Sequence, residues 1–223
     1  MAVKLLITGF ENTGKSTLAS KIENALIINC DGKSFNFKTP HSDFTGWKGY
    51  KDFEKFVISK ILAYKNKFNE LPKTIVFDTI THLYLDITNF NRRNYSGFDI
   101  HSQNNDDAQS LNEFIENKLI REKNINIVLM AHTTIEPKTN RLSVPAQGSF
   151  ARAGGFVSFV DESIYIDRNE EHLIVLKDPT NAVVRSVLKY DEDKFVVHFN
   201  TFDINKHLAA LEHISNDSEE SKL

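Results

Sequence analysis

The stretch ITGFENTGKST, at positions 7–17, constrains the fold of this chain more than any other. Gly9, Gly14, Lys15 and Ser16 match the pattern G-x-x-x-x-G-K-[ST]. That pattern works only as strand, tight loop and helix in that order. Successive backbone N–H groups must face a polyanion, and the helix offers its unpaired donors to the same phosphates. Glycine is required where a side chain would block the approach or where φ is positive. The flanks comply. VKLLITG is a short apolar run ending in glycine, which reads as a buried strand, and GKSTLASKIENA spaces Leu18, Ile22 and Ala25 as a helix does. Gly9, Glu11, Asn12, Thr13, Gly14, Lys15, Ser16 and Thr17 are therefore expected to grip a nucleoside triphosphate. Lys15 brings a full charge to its β/γ end, and the Ser16 hydroxyl is suited to Mg²⁺.

The rest of the chain continues the alternation. ALIINCD, KTIVFDTI and INIVLMAHT read as buried strands. KDFEKFVISKILAYKNKF carries Phe53, Phe56, Val57, Ile61 and Leu62 on one helical face, and THLYLDITNFNRR and AQSLNEFIENKLIREKN read as further helices. Residues 32–50 and the polar stretch NYSGFDIHSQNNDD read as loops. Residues 134–160, with Pro137, Pro145 and three glycines, read as a long connection. After it the pattern turns to β: ESIYIDR, EEHLIVLKD, AVVRSVLKY and KFVVHF read as hairpin-linked strands. The expected fold class is α/β, a mainly parallel core sheet flanked by helices with a C-terminal antiparallel hairpin extension.

Composition excludes several alternatives. With 40% apolar and 11% aromatic residues in 223, the chain has ample material for one core. One cysteine, Cys30, allows no intrachain disulfide, and with eight scattered histidines it gives no zinc spacing. No apolar run approaches the roughly 20 residues that span a bilayer, and the N-terminus lacks the apolar run of a signal peptide. A cytoplasmic, membrane-free protein is expected. The formal charge of −3 is matched by residues 212–223 alone, so the body is neutral and any basic surface is local. Two units are expected: an ATPase domain over residues 1–205 and a flexible acidic tail over 206–223.

Three residues beyond the loop point to nucleotide chemistry. Asp78 ends an apolar strand, where ligands of open α/β sheets bind, and can hold Mg²⁺ with Ser16. Asp31 ends the strand before it and could position a water for attack on the γ-phosphate, or simply form a turn before Gly32. His132 ends a third strand, where an imidazole could contact the γ-phosphate or simply finish the strand. No Asn-Lys pair is followed two residues on by Asp, so the guanine reader of Ras-like GTPases is missing. ATP is the expected nucleotide.

Taken in order, these parts resemble the RecA-like recombinase ATPases. A P-loop, an acid ending the next strand, a Mg²⁺ aspartate, a polar sensor and a long loop are followed by Gly-Gly, a helix and hairpins. In this chain they are GFENTGKS, Asp31, Asp78, His132 and ARAGGFVSFVDESIYIDR. Order and size are most similar to the small phage RecA-like proteins of the Sak single-strand-annealing group, over roughly residues 3–200. Two positions depart from the pattern: Asp31 stands where RecA-like enzymes usually have Glu, and His132 where RecA has Gln. The resemblance implies a RecA-like P-loop NTPase fold, ATP and Mg²⁺ as cofactors, and hydrolysis linked to single-stranded DNA. It also implies ATP at subunit interfaces of a homo-oligomeric ring or filament, with a cation from the neighbour; Lys177 stands in the matching place and Arg185 is a second candidate. A single-strand-binding protein is a possible further partner.

Two stretches combine cations with aromatic rings, the combination that tracks phosphates and stacks on unpaired bases. One holds Arg92, Arg93, Tyr95 and Phe98; the other holds Lys138, Arg141, Phe150 and Arg152. Ordinary solvated arginines over core phenylalanines would look the same. FARA at 150–153 has the form of an F-x-x-A oligomerisation tether. Two rivals stay open: a P-loop kinase of a small molecule or nucleotide with NRRNYSG as its lid, and a nucleotide-gated DNA-binding protein with negligible turnover.

Overall fold

The computed structural model describes residues 1–145 and 155–220. Its centre is an eight-stranded sheet. Lys4–Gly9 (β1), Ala25–Asn29 (β2), His41–Asp43 (β3), Thr74–Asp78 (β4), Asn126–His132 (β5), Glu162–Arg168 (β8), His172–Val175 (β9) and Val196–His198 (β10) lie in the order β10-β9-β8-β1-β5-β4-β2-β3. The six strands from β8 to β3 run parallel, and β9 and β10 add antiparallel to β8. This is the expected α/β class, a mostly parallel sheet with a C-terminal antiparallel hairpin. A separate two-stranded hairpin joins Thr134–Ile135 (β6) to Leu142–Ser143 (β7).

The central strands are mostly apolar because both faces are covered, and their period of two sorts side chains between two cores. Leu6, Leu26, Ile28, Ile75, Phe77, Ile127 and Leu129 enter one core. Leu5, Ile7, Ile27, Val76, Val128 and Met130 enter the other. The first core is closed by Tyr50–Phe68 (α2), Ile80–Asn94 (α3) and Asp99–Glu113 (α4), which runs on as a π-helix over Phe114–Arg121. Gly155–Phe159 (α5) adds Phe156, which packs edge-on against Tyr84. The second core is closed by Lys15–Ala19 (α1) and Ile204–Glu220 (α6).

The structure corrects several expectations. The helix after the phosphate loop is only five residues long; Asn24, at φ 50°, turns the chain, and Ala25 already starts β2. Within the expected loop 32–50, β3 pairs with β2. NYSGFDIHSQNNDD is largely helix, since α4 begins at Asp99 and holds Asn91 of α3 through Asn104 and Asp107 at 2.9 Å each. AVVRSVLKY forms one bridge, Ser163 with Arg185, rather than a strand, because its Val187 and Leu188 amides donate to the Glu162 carboxylate instead of a ladder. Residues 206–220, expected as a flexible tail, belong to α6, whose Ile204, Leu208 and Leu211 are buried in the second core. Phe150, Arg152 and the FARA stretch lie outside the described residues.

Candidate nucleotide-binding site

Parallel strands end together, so the carboxyl ends of β1, β4 and β5 form one edge. Gly9 is in register with His132, and Asp78 with Met130. At that edge lies a cleft of about 340 Å³, lined by residues 11–17 of the loop and by Asp31, Lys33, Asp78, Thr79, His132 and Arg168. Lys15, Asp31, Asp78 and His132, far apart in the sequence, are thus brought together.

Two glycines shape the loop. A Cβ at Gly9 would stand 2.6 Å from Thr13 Oγ1 and 2.9 Å from the Ile166 carbonyl. Gly14, which caps α1, has φ 97°, and a Cβ there would stand 3.1 Å from the Phe199 ring. Lys15 is 5% exposed, and its Nζ donates to the Gly9 and Phe10 carbonyls at 2.9 and 2.6 Å. Burial lowers its pKa to about 8, against the opposing pull of Asp78 and Glu11. Ser16 Oγ donates to Asp78 Oδ2 at 2.8 Å. Burial pushes Asp78 up to about 6 although that hydrogen bond works against it; the Asp31 charge adds to the rise.

His132 is half-buried, and its Nδ1 is fully buried with no hydrogen-bond partner. Burial, then Lys15 and Lys33, lower its pKa, so the ring is neutral at pH 7. Asp31 forms the expected turn and also reaches the cleft. It lines the cleft, and its Oδ1 accepts from the Lys33 amide at 2.8 Å in a turn.

The donor set fits a magnesium nucleotide. A cradle without room for Cβ atoms, a buried ammonium held only by neutral carbonyls and a hydroxyl–carboxylate pair are what a polyphosphate and a hard cation require. Gly14, Lys15, Ser16 and Thr17 would hold the phosphates, and Ser16 with Asp78 the metal.

The chain matches the AAA domain family over residues 1–197. It belongs to that family. AAA-type P-loop domains in general bind and hydrolyse nucleotide, with ATP and Mg²⁺ as the usual pair, and the sheet, loop and cleft of this AAA domain have the form such a P-loop NTPase needs. Among curated proteins none matches the chain.

Other expected site residues fall elsewhere. Lys177 follows β9 on the surface, its Nζ 4.9 Å from the Phe195 ring centre, and does not line the cleft. Arg185 donates to the Val157 and Ser158 carbonyls. Lys138 and Arg141 are exposed on the β6–β7 hairpin, which begins two residues past His132. Arg92 and Arg93 end α3, next to Tyr95 and Phe98, the latter 83% exposed.

Sequence reasoning missed Lys33, Thr79 and Arg168. Thr79 follows Asp78 directly. Arg168 ends the expected strand ESIYIDR, but only the parallel pairing of β8 with β1 brings it to the loop.

Proposed function

We propose that this AAA domain is a RecA-like ATPase that binds single-stranded DNA and supports annealing or recombination, in the manner of the small phage proteins it resembles. The observation that carries the reading is the convergence of Lys15, the Ser16–Asp78 pair, Asp31 and His132 on one cleft, with a cationic hairpin starting two residues past His132. Lys15 and the loop amides hold the phosphates, Ser16 and Asp78 hold Mg²⁺, and Asp31 orients the attacking water. His132, neutral and with Nδ1 unpartnered, takes up a hydrogen bond when the γ-phosphate is present. The next residues lead to Lys138 and Arg141, which with Arg92 and Arg93 track the DNA backbone.

Copies of the chain assemble in a ring or filament with ATP at their contacts, and Lys177 is the cation offered to the neighbour's site. A cytoplasmic location agrees with the finding that, among the described residues, no helix is long and apolar enough to cross a membrane. A single-strand-binding protein is a compatible partner.

The test is phosphate release with Mg-ATP, with and without single-stranded DNA, for the parent and Lys15→Ala. DNA-stimulated release that Lys15→Ala abolishes is the expected result. DNA that neither binds nor alters turnover ends the recombinase reading. One observation favours a second reading, a nucleotide-gated DNA binder with negligible turnover: Asp31 Oδ1 is already engaged by the Lys33 amide. That reading requires tight ATP and DNA binding without release, and a gain of release in Asp31→Glu.

A further inference from the structure

The β8–β9 hairpin touches the phosphate loop at two consecutive peptides. Arg168 Nη1, at the end of β8, donates to the Asn12 carbonyl at 2.9 Å. His172 Nε2, at the start of β9, lies 2.7 Å from the Thr13 carbonyl. A carbonyl only accepts, so the proton of this contact is on Nε2. The His172 ring is itself fixed, stacked on buried Phe199 with centroids 3.8 Å apart and 11° between planes. His172 does not line the cleft, so nothing assigned so far uses it.

A trans peptide is planar, with its C=O and N–H pointing opposite ways. Among the described residues the cis peptide is Asp78–Thr79, so the units joining Asn12, Thr13 and Gly14 are trans. Holding the Asn12 and Thr13 carbonyls on the hairpin therefore turns the Thr13 and Gly14 N–H groups away from it, and both residues line the cleft. Asn12 and Gly14 both have positive φ, 60° and 97°, in a segment with no ladder of its own. Without the hairpin, Thr13 Oγ1 on the Phe10 carbonyl and Lys15 Nζ on the Gly9 and Phe10 carbonyls would still hold the loop, but affinity would fall by the entropy of ordering the freed peptides.

We propose that His172, braced by Phe199, is a positioning residue for the phosphate loop: its Nε2–H fixes the Thr13–Gly14 peptide so that the Gly14 N–H faces a bound triphosphate. Arg168 does the same for the preceding peptide. The proposal rests on the nucleotide reading of the cleft, and it makes the C-terminal hairpin part of the nucleotide site.

Two substitutions separate hydrogen bond from packing. His172→Gln keeps a donor near the Nε2 position, while His172→Phe keeps a ring on Phe199 and loses the donor. Mg-ATP affinity is measured by calorimetry on the full chain, melting temperature without nucleotide, and the His172 tautomer by ¹H–¹⁵N NMR of the parent. The expected result is an Nε2–H tautomer, binding weakened about 5- to 10-fold in His172→Phe, and near-parent binding in His172→Gln. Equal affinity of His172→Phe and parent overturns the proposal, as does equal weakening by both variants or an Nδ1–H tautomer. A parent that binds no Mg-ATP overturns the nucleotide reading instead, and the tautomer alone then decides whether the hairpin holds the loop.

Discussion

Ser16 and Asp78 are joined by a 2.8 Å hydrogen bond that ties the first turn of α1 to the tip of β4. The pair is 62 residues apart in sequence, and the carboxylate is 3% exposed. A buried carboxylate with one hydroxyl donor is under-solvated, so the folded protein favours its neutral form.

This fixes the sign of a stability effect. Asp78 has its folded pKa, about 6, above the ordinary aspartate value of 3.8. Its contribution to stability is full below the unfolded pKa and is lost as pH rises through about 6. Asp78→Asn, neutral at every pH, is expected to be more stable than the parent at pH 8 by about 1–3 kcal/mol, with the gap closing toward pH 4. It should also lose Mg²⁺-dependent nucleotide binding. Thermal melts at both pH values check the first part; a variant less stable at pH 8 would contradict it.

Nucleotide affinity should follow a bell in pH. Mg-ATP needs Asp78 ionised and Lys15 charged, and their pKa values are about 6 and about 8. Affinity is expected to climb as pH rises through the first and to decline above the second. Calorimetry across this span tests it, and an affinity independent of pH would show that neither group bears on binding.

A second buried carboxylate behaves in the opposite way. Glu162, fully buried at the start of β8, receives the Tyr190 hydroxyl at 2.6 Å and the Val187 and Leu188 amides at 3.2 and 3.3 Å. His207 Nε2 of α6 lies 3.2 Å away. Burial pushes Glu162 up, but His207, Tyr190 and the Leu188 amide together hold it below the usual range. Its stabilisation is therefore present above the unfolded pKa and lost on acidification through the folded one. Glu162→Ala is expected to cost about 3–5 kcal/mol at pH 7, with faster amide exchange in α6. Parent-like exchange in α6 would mean that the cluster does not hold this helix.

DNA binding, if the hairpin takes part, should show it in salt. Lys138→Ala and Arg141→Ala are each expected to flatten the slope of log affinity against log salt by about one unit, with little dependence on sequence. Arg92→Ala and Arg93→Ala test the α3–α4 tip in the same assay. An unchanged slope in all four removes both stretches from the interface.

Much of this was readable from residues alone, and the reasons differ by element. The phosphate loop was legible because its requirements are local: a glycine with no room for Cβ, a lysine and a hydroxyl within eight positions. Asp78 and His132 were legible because parallel strands ending in a polar residue put it at one sheet edge. Arg168 and His172 were not, since their nearness to the loop depends on β8 pairing with β1, a contact between residues 157 apart in sequence. The α4 segment hid behind its polarity: Asn104 and Asp107 look solvated, yet they accept from the buried Asn91 side-chain amide. The end of the chain misled in a similar way, because its acidic residues outnumber Leu208 and Leu211, the apolar side chains that bury it in the second core.

Lys15, folded back on the Gly9 and Phe10 carbonyls, has a kinetic consequence. The loop ligates its own cation, so a triphosphate enters by displacement rather than by filling an open socket. Two hydrogen bonds must break before the ammonium can turn to the newcomer. Association monitored by stopped flow should therefore level off at high nucleotide concentration, at the rate at which the lysine lets go.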